Sequence, residues 1–200
     1  MERIPVKYCR GETNFTREGK SSEITLLDFW AWAFSDVVKN TTRGILAEFI
    51  VATALGLNIE KPRDCWAKYD LEYKGAGIEV KSSAYHQRWR QKEKSPISFS
   101  VPKSRAWESE TGEMESESRR QADIYVLSLL AERDREAVNP INLDQWRFWI
   151  IETSFFNERK RSQDSITYNS LISERGEPVS YSDIKSCVDA LISKMAASTE

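Results

Sequence analysis

The stretch from Tyr69 to Ser83, YDLEYKGAGIEVKSS, limits what this chain can fold into more than any other. Leu71 and Tyr73 before the glycines, and Ile78 and Val80 after them, have strand composition, so the stretch predicts two short strands joined by a glycine turn. Side chains alternate along a strand, which puts Glu79 and Lys81 on one face and Val80 on the other. A two-residue turn at Lys74-Gly75 sets Asp70 opposite Glu79, and a four-residue loop from Lys74 to Gly77 sets Asp70 opposite Lys81. Either loop leaves all three groups on one face, whereas an odd-length loop scatters them, because a one-residue slip reverses every side chain. Two carboxylates and an ammonium group can thus converge. Acidic oxygens on a rigid hairpin suit a hard divalent cation such as magnesium. With a lysine facing the same waters, this is the inventory of metal-assisted phosphodiester hydrolysis.

A second unusual position lies upstream. Between Arg43 and Glu60 the only charged side chain is Glu48, set among Ile45, Leu46, Phe49, Ile50, Val51 and Leu55. This segment predicts a helix running to Leu55, with Gly56 as its stop. Burying a carboxylate costs several kcal/mol unless it is paired or binds a metal. Glu48 therefore belongs either to a metal site beside the hairpin or to a structural ion pair with Arg43 or Lys81.

Several function classes drop out on composition. The chain has 200 residues and a hydrophobic fraction of 40%, enough for one domain with an ordinary core. No segment approaches the roughly 20 apolar residues that cross a membrane, and Met1 to Arg10 contains no signal-peptide run, so a cytoplasmic protein is expected. Cys9, Cys65 and Cys187 form no CxxC pair, which argues against a zinc ribbon or a disulfide framework. With His86 as the sole histidine, sites needing several imidazoles are excluded, and His86 itself reads as a surface loop residue. No GxSxG elbow is present, and Gly75 and Gly77 do not complete a dinucleotide fingerprint.

A net charge of −2 does not announce a nucleic-acid partner, but its distribution is uneven. Arg88, Arg90, Lys92, Lys94, Lys103 and Arg105 follow the hairpin against the single acid Glu93, and five acids come next, Glu108, Glu110, Glu113, Glu115 and Glu117. The basic side chains can neutralise phosphates while Tyr85 and Trp89 offer faces to an unstacked base. The alternative is a solvated charged loop. Arg119 and Arg120 are candidate phosphate contacts or a plain surface pair.

The remaining elements frame these positions. Met1 to about Ile24 reads as an irregular arm. Thr25 and Asp28 form a capping box for a helix over 26–39, whose apolar residues cover so much of its circumference that most of it should be packed. A first strand is expected within 65–73, further strands over 97–101, 124–130 and 148–152, a long loop over 103–120, and a short helix in 139–146. Asp123 reads as a structural cap of the loop rather than as the holder of an ordered water near the site. Beyond Ser154 the chain turns polar, with Glu158-Arg159-Lys160-Arg161 as a basic edge, before a last helix capped by Ser182 and striped with Ile184, Val188, Leu191 and Ile192. This order predicts an α/β domain with a mixed sheet, one domain spanning 1–200.

The spacing of Asp70 from Glu79-Val80-Lys81 resembles the signature of the PD-(D/E)XK nuclease superfamily, which includes restriction-endonuclease-like proteins and Holliday junction resolvases. The resemblance spans roughly Arg43 to Val101, and Tyr69 stands where the family name has proline. It implies a restriction-endonuclease-like mixed β-sheet flanked by helices and a magnesium-dependent endodeoxyribonuclease, with manganese as a substitute ion. On that likeness Asp70, Glu79 and the Val80 carbonyl would bind the metal. Glu48 would bind a second metal or orient water, and Lys81 would place the attacking water. DNA as partner comes from the resemblance alone, and restriction, defence and repair all stay open. Cutting both strands of a duplex would be simplest for a homodimer, which no residue demonstrates. The alternative is a non-catalytic nucleic-acid- or partner-binding module on the same fold.

Overall fold

Strand-forming and helix-forming stretches alternate along the chain, and the computed structural model describes residues 4–108, 112–159 and 164–197. The order is β1 (Asn14–Arg17), β2 (Lys20–Thr25), α1 (Leu26–Phe34), α2 (Asn40–Leu55), β3 (Leu71–Tyr73), β4 (Ala76–Ala84) and β5 (Ser98–Ser100). Then come β6 (Trp107–Glu108), β7 (Glu113–Met114), β8 (Ile124–Leu130), β9 (Trp146–Glu152), α3 (Thr153–Glu158), β10 (Ser165–Thr167), α4 (Tyr168–Arg175) and α5 (Ile184–Ala197). Glu110 of the acidic run and Lys160 and Arg161 of the expected basic edge lie outside the described residues.

The central sheet has the order β3-β4-β8-β9. β4 and β8 are parallel, from Ile78 opposite Ile124 to Ala84 opposite Leu130, while β3 and β9 run antiparallel to their neighbours. The protein is therefore mixed α/β with a mixed central sheet flanked by helices, as the sequence predicts. Every residue of β8 is buried, because both faces are covered. On one face Ile78, Val80, Ile124, Val126 and Leu130 meet Ala47, Ile50, Val51 and Leu55 of α2 and Ile184 and Val188 of α5. On the other, Tyr125, Leu127, Leu129, Trp149 and Ile151 meet Phe99, Phe156, Ile166 and Leu171. The β4 residues Ile78 and Val80 thus hold α2 against the same strand that carries Glu79 and Lys81.

α2 ends as its sequence dictates. Gly56 is left-handed (φ 71°), its N–H donates to the Thr53 carbonyl, and Leu57 N donates to Ala52 O at 3.0 Å, closing the last turn. Its first turn is held by Arg43, which is buried and donates to Ser82 Oγ at 3.1 Å, to Val38 O at 3.0 Å and to Gln87 Oε1 at 3.4 Å. That one guanidinium ties α2 to β4 just past Lys81 and to the root of the loop that follows. Burial pushes its pKa down.

Several expectations are corrected. The N-terminal arm is not irregular throughout: β1 and β2 form a hairpin whose turn residues Glu18 and Gly19 are both left-handed (φ 52° and 75°). The capping box is present, with Thr25 N donating to Asp28 Oδ2 at 2.7 Å, but the helix stops at Phe34 and buries none of its residues. Trp32 is 86% exposed. The strand expected within 65–73 is only Leu71–Tyr73, since the preceding residues form turns and bends. The 103–120 loop carries a small β6–β7 hairpin and a bridge between Ser104 and Arg119. β10, α3 and α4 lie in the polar tail, anchored by Phe156, Ile166 and Leu171. Ser180, rather than Ser182, makes the last capping box, with Asp183. Among the described residues no helix is long and apolar enough to cross a membrane.

Candidate active site

The turn between β3 and β4 has two residues. Lys74 and Gly75 are both left-handed (φ 51° and 79°), as a type I′ hairpin requires, and Tyr73 sits opposite Ala76. Counting outward through Leu71 opposite Ile78, Asp70 falls opposite Glu79. Lys74 is fastened to α5, its ammonium 2.7 Å from Asp189, which also accepts from Tyr73 at 3.0 Å and from Lys185 at 2.7 Å. These partners hold the Asp189 carboxyl well below the usual carboxylate range.

The GAG sequence has two separate jobs. Gly75 supplies the left-handed turn position. Gly77 supplies space: a Cβ there would stand 2.6 Å from Tyr69 Cδ1. Tyr69 is thus a ring packed on the hairpin, next to Asp70. Asp123 closes the other side, accepting from Gly77 N at 2.8 Å through its carboxylate and donating its own N–H to Gly77 O at 2.8 Å. This is the structural role expected of it.

β3 stops pairing at Leu71, so beyond Ile78 the edge of β4 is left to side chains. Asp70 takes it: its Oδ2 accepts from Val80 N at 2.8 Å. The N–H and C=O of one strand residue point to the same side, which puts the Val80 carbonyl on this same edge. Glu79 and Lys81 form a salt bridge on the face beside Tyr125 and Leu127. Glu48, 8% exposed, reaches the edge from α2 and is close enough to feel Asp70 and Lys81 electrostatically.

Arg63 completes the cluster, and the sequence analysis did not single it out. Its Nε and NH2 grip Glu48 as a fork, the NH2 bond measuring 3.0 Å, and the same NH2 lies 4.0 Å from Asp70 Oδ1. The ion pair anticipated for Glu48 is real, but its partner is neither Arg43 nor Lys81. Burial raises the Glu48 pKa, the Asp70 charge adds to that, and Arg63 opposes it. Glu79 is likewise raised, by burial and then by Asp70, with Lys81 opposing. Burial and the Glu79 charge push the neighbouring Tyr125 phenol up to about 12. Among the described residues no three Asp, Glu, His or Cys side chains are arranged to hold a metal ion. Two of the carboxylates are turned onto Arg63 and Lys81 instead.

The nucleic-acid candidates divide. Arg88, Trp89, Arg90, Lys92 and Lys94 are exposed on the loop after β4, and Lys92, Lys94, His86, Gln91, Glu93 and Arg135 line an open groove. Arg88 is paired with Asp36 at 3.0 Å. Arg119 is exposed but bridged to Glu115 at 3.2 Å. Arg120 is not presented as a surface phosphate contact: it is 5% exposed, donates to Val101 O at 2.8 Å and Asn157 Oδ1 at 2.7 Å, and covers the Phe156 ring. His86 is buried rather than a surface loop residue, its Nε2 lying 3.0 Å from the Arg133 carbonyl.

Three carboxylates and two cationic side chains thus gather at one sheet edge of a mixed α/β fold. Residues 30–170 match the model of the bacteriophage T4 endonuclease IV family, and the match includes Glu48, Arg63, Asp70, Glu79 and Lys81. The chain belongs to that family of nucleases. No curated protein and no solved structure matches it.

Proposed function

We propose that this chain is a magnesium-dependent endodeoxyribonuclease working through a PD-(D/E)XK-type centre, with manganese able to replace magnesium. The observation that carries the reading is the register: the two-residue turn puts Asp70 opposite Glu79, with Lys81 on the same face, at an edge that β3 vacates. The donors suit a hard cation, since all are oxygens: the Asp70 and Glu79 carboxylates, the Val80 carbonyl, and Glu48 for a second ion or an ordered water. A bound cation would lower the pKa of a water and neutralise charge on the phosphate. Lys81, released from Glu79 as that carboxylate turns to the ion, would hold the attacking water and the phosphate. Asp70 is already steadied by Val80 N, and the Tyr69 ring on Gly77 fixes the backbone beside it. The loop of Arg88, Trp89, Arg90, Lys92 and Lys94 would carry flanking phosphates and a stacked base. DNA as the substrate class is supported by the superfamily resemblance.

One observation favours a second reading. Glu48 and Glu79 stand in ion pairs, which is how a non-catalytic binding module would keep buried acids neutralised. A cleavage panel separates the two: plasmid, linear duplex, single-stranded DNA, branched DNA and RNA, each with magnesium, for the wild type and Lys81→Ala. The nuclease reading expects cut DNA that disappears with chelator and with Lys81→Ala while the fold is retained. Metal-dependent cleavage surviving in Lys81→Ala removes the assignment of that lysine, and binding of DNA without cleavage supports the second reading.

A further inference from the structure

Arg63 holds a carboxylate that a metal ion could use and reaches toward another. It lies between α2 and β3, in a stretch without regular secondary structure, with its side chain 40% exposed. Its fork faces Glu48 and extends toward Asp70. The pairing has a clear cause. Glu48, Asp70 and Glu79 repel one another at a partly buried edge, and Lys81 is taken by Glu79, so a second cation is required while no metal is present.

Charge counting shows what changes when a metal arrives. Three carboxylates with Arg63 and Lys81 leave the cluster one negative charge. A divalent cation turns that into one positive charge, and a single phosphodiester brings it to neutrality. Arg63 is then no longer needed on Glu48, yet it is still needed for the sum to close around the substrate. Its planar fork matches phosphate as well as carboxylate, and a half-exposed side chain has room to turn from one to the other.

We propose that Arg63 is a two-position residue: it pairs with Glu48 in the metal-free protein, and when a divalent cation takes that carboxylate it transfers to the phosphodiester of the substrate. This rests on the cluster being a metal centre. Arg63 then has opposite effects on the two ligands. It competes with the metal and assists the phosphate. A residue that only props the fold would not act in opposite directions.

The test uses the full chain as wild type, Arg63→Ala, Arg63→Lys and Glu79→Gln. Manganese binding is measured by isothermal titration calorimetry. Binding of a fluorescein-labelled mixed-sequence oligodeoxynucleotide, single-stranded and annealed, is measured by anisotropy in calcium. Removing a cation this close should tighten manganese by about tenfold and weaken the oligonucleotide by about tenfold. Arg63→Lys, which keeps the charge but loses the fork, should fall between wild type and Arg63→Ala on both scales. Manganese affinity that is unchanged or weaker in Arg63→Ala, or oligonucleotide affinity that is unchanged, overturns the proposal while leaving the metal centre standing, provided Glu79→Gln abolishes uptake. If no protein takes up manganese, the metal-centre reading fails and the inference goes with it. Should Arg63→Ala not fold, Arg63→Lys decides on the same two scales.

Discussion

α1 and α2 are both apolar helices, separated only by residues 35–39, and they behave oppositely. α2 buries Arg43, Ala47, Glu48, Ile50, Val51, Ala52 and Leu55 between the sheet and solvent, while α1, with the sequence LLDFWAWAF, buries nothing. Apolar composition states that a helix has surface to cover; it does not state which surface will cover it. α2 finds β4 because its apolar residues form a stripe that fits Ile78 and Val80, and because Arg43 pins its first turn. α1 is attached instead to the segment just before β1, through Leu26 N to Thr13 O and Leu27 N to Gly11 O, each at 2.9 Å. The functional contrast follows. The lone carboxylate of α2 is carried to the sheet edge, and no residue of α1 enters the charged cluster.

Substitutions on the two sides should therefore differ in kind. The largest expected effect is on the edge itself: Glu79→Gln should lower magnesium-dependent cleavage by about 10³-fold, measured in single-turnover assays. A retained rate would place the chemistry elsewhere. Next, Leu55→Ala opens a hole where α2 meets the sheet and should cost about 2–5 kcal/mol in urea unfolding. A loss below 1 kcal/mol would mean that α2 is packed no better than α1.

Gly77→Ala should act between structure and chemistry. The new Cβ forces the Tyr69 ring to shift, and with it the neighbouring Asp70. Cleavage should fall by about 10–100-fold in a protein that still melts cooperatively. Normal cleavage would show that Tyr69 and Asp70 are uncoupled.

A smaller effect is set by pH. Glu48 and Glu79 have pKa values raised by burial, so the native state holds protons that the unfolded chain has lost. Their contribution is complete below the ordinary glutamate range and is lost as pH rises through the raised values. Metal-free wild type should lose stability relative to Glu79→Gln across that window, read from paired urea titrations. Equal slopes would contradict the burial of Glu79. Smallest of all, Trp32→Ala should change stability by no more than about 0.5 kcal/mol and leave cleavage untouched. A large loss would show α1 to be packed after all.

The legibility of this chain follows the same division. The hairpin could be read because alternation and a two-residue turn are local rules, and Glu48 because a single charge among six apolar neighbours needs an explanation. Arg63 was not read. It sits in Lys61-Pro62-Arg63-Asp64, which has no apolar period to say what it faces, and its partner is fifteen residues away on a different element. Arg120 reads as a surface cation beside Arg119, but strand alternation is lost around it and only the fold shows Val101 O and Asn157 Oδ1 accepting its hydrogen bonds. β10, α3 and α4 were hidden because each is anchored by one or two large residues within a polar stretch. α1 marks the limit in the other direction, a strong apolar signal with no buried counterpart among the described residues.

The central claim is that Asp70, Glu79 and the Val80 carbonyl receive a divalent cation at the edge of β4. Crystals of the full chain soaked in manganese test it directly through the anomalous difference map. The account predicts a peak bounded by those three groups, with Lys81 turned away from Glu79. A manganese-dependent nuclease whose only ordered manganese lies elsewhere, with the Glu79–Lys81 pair intact, would contradict it.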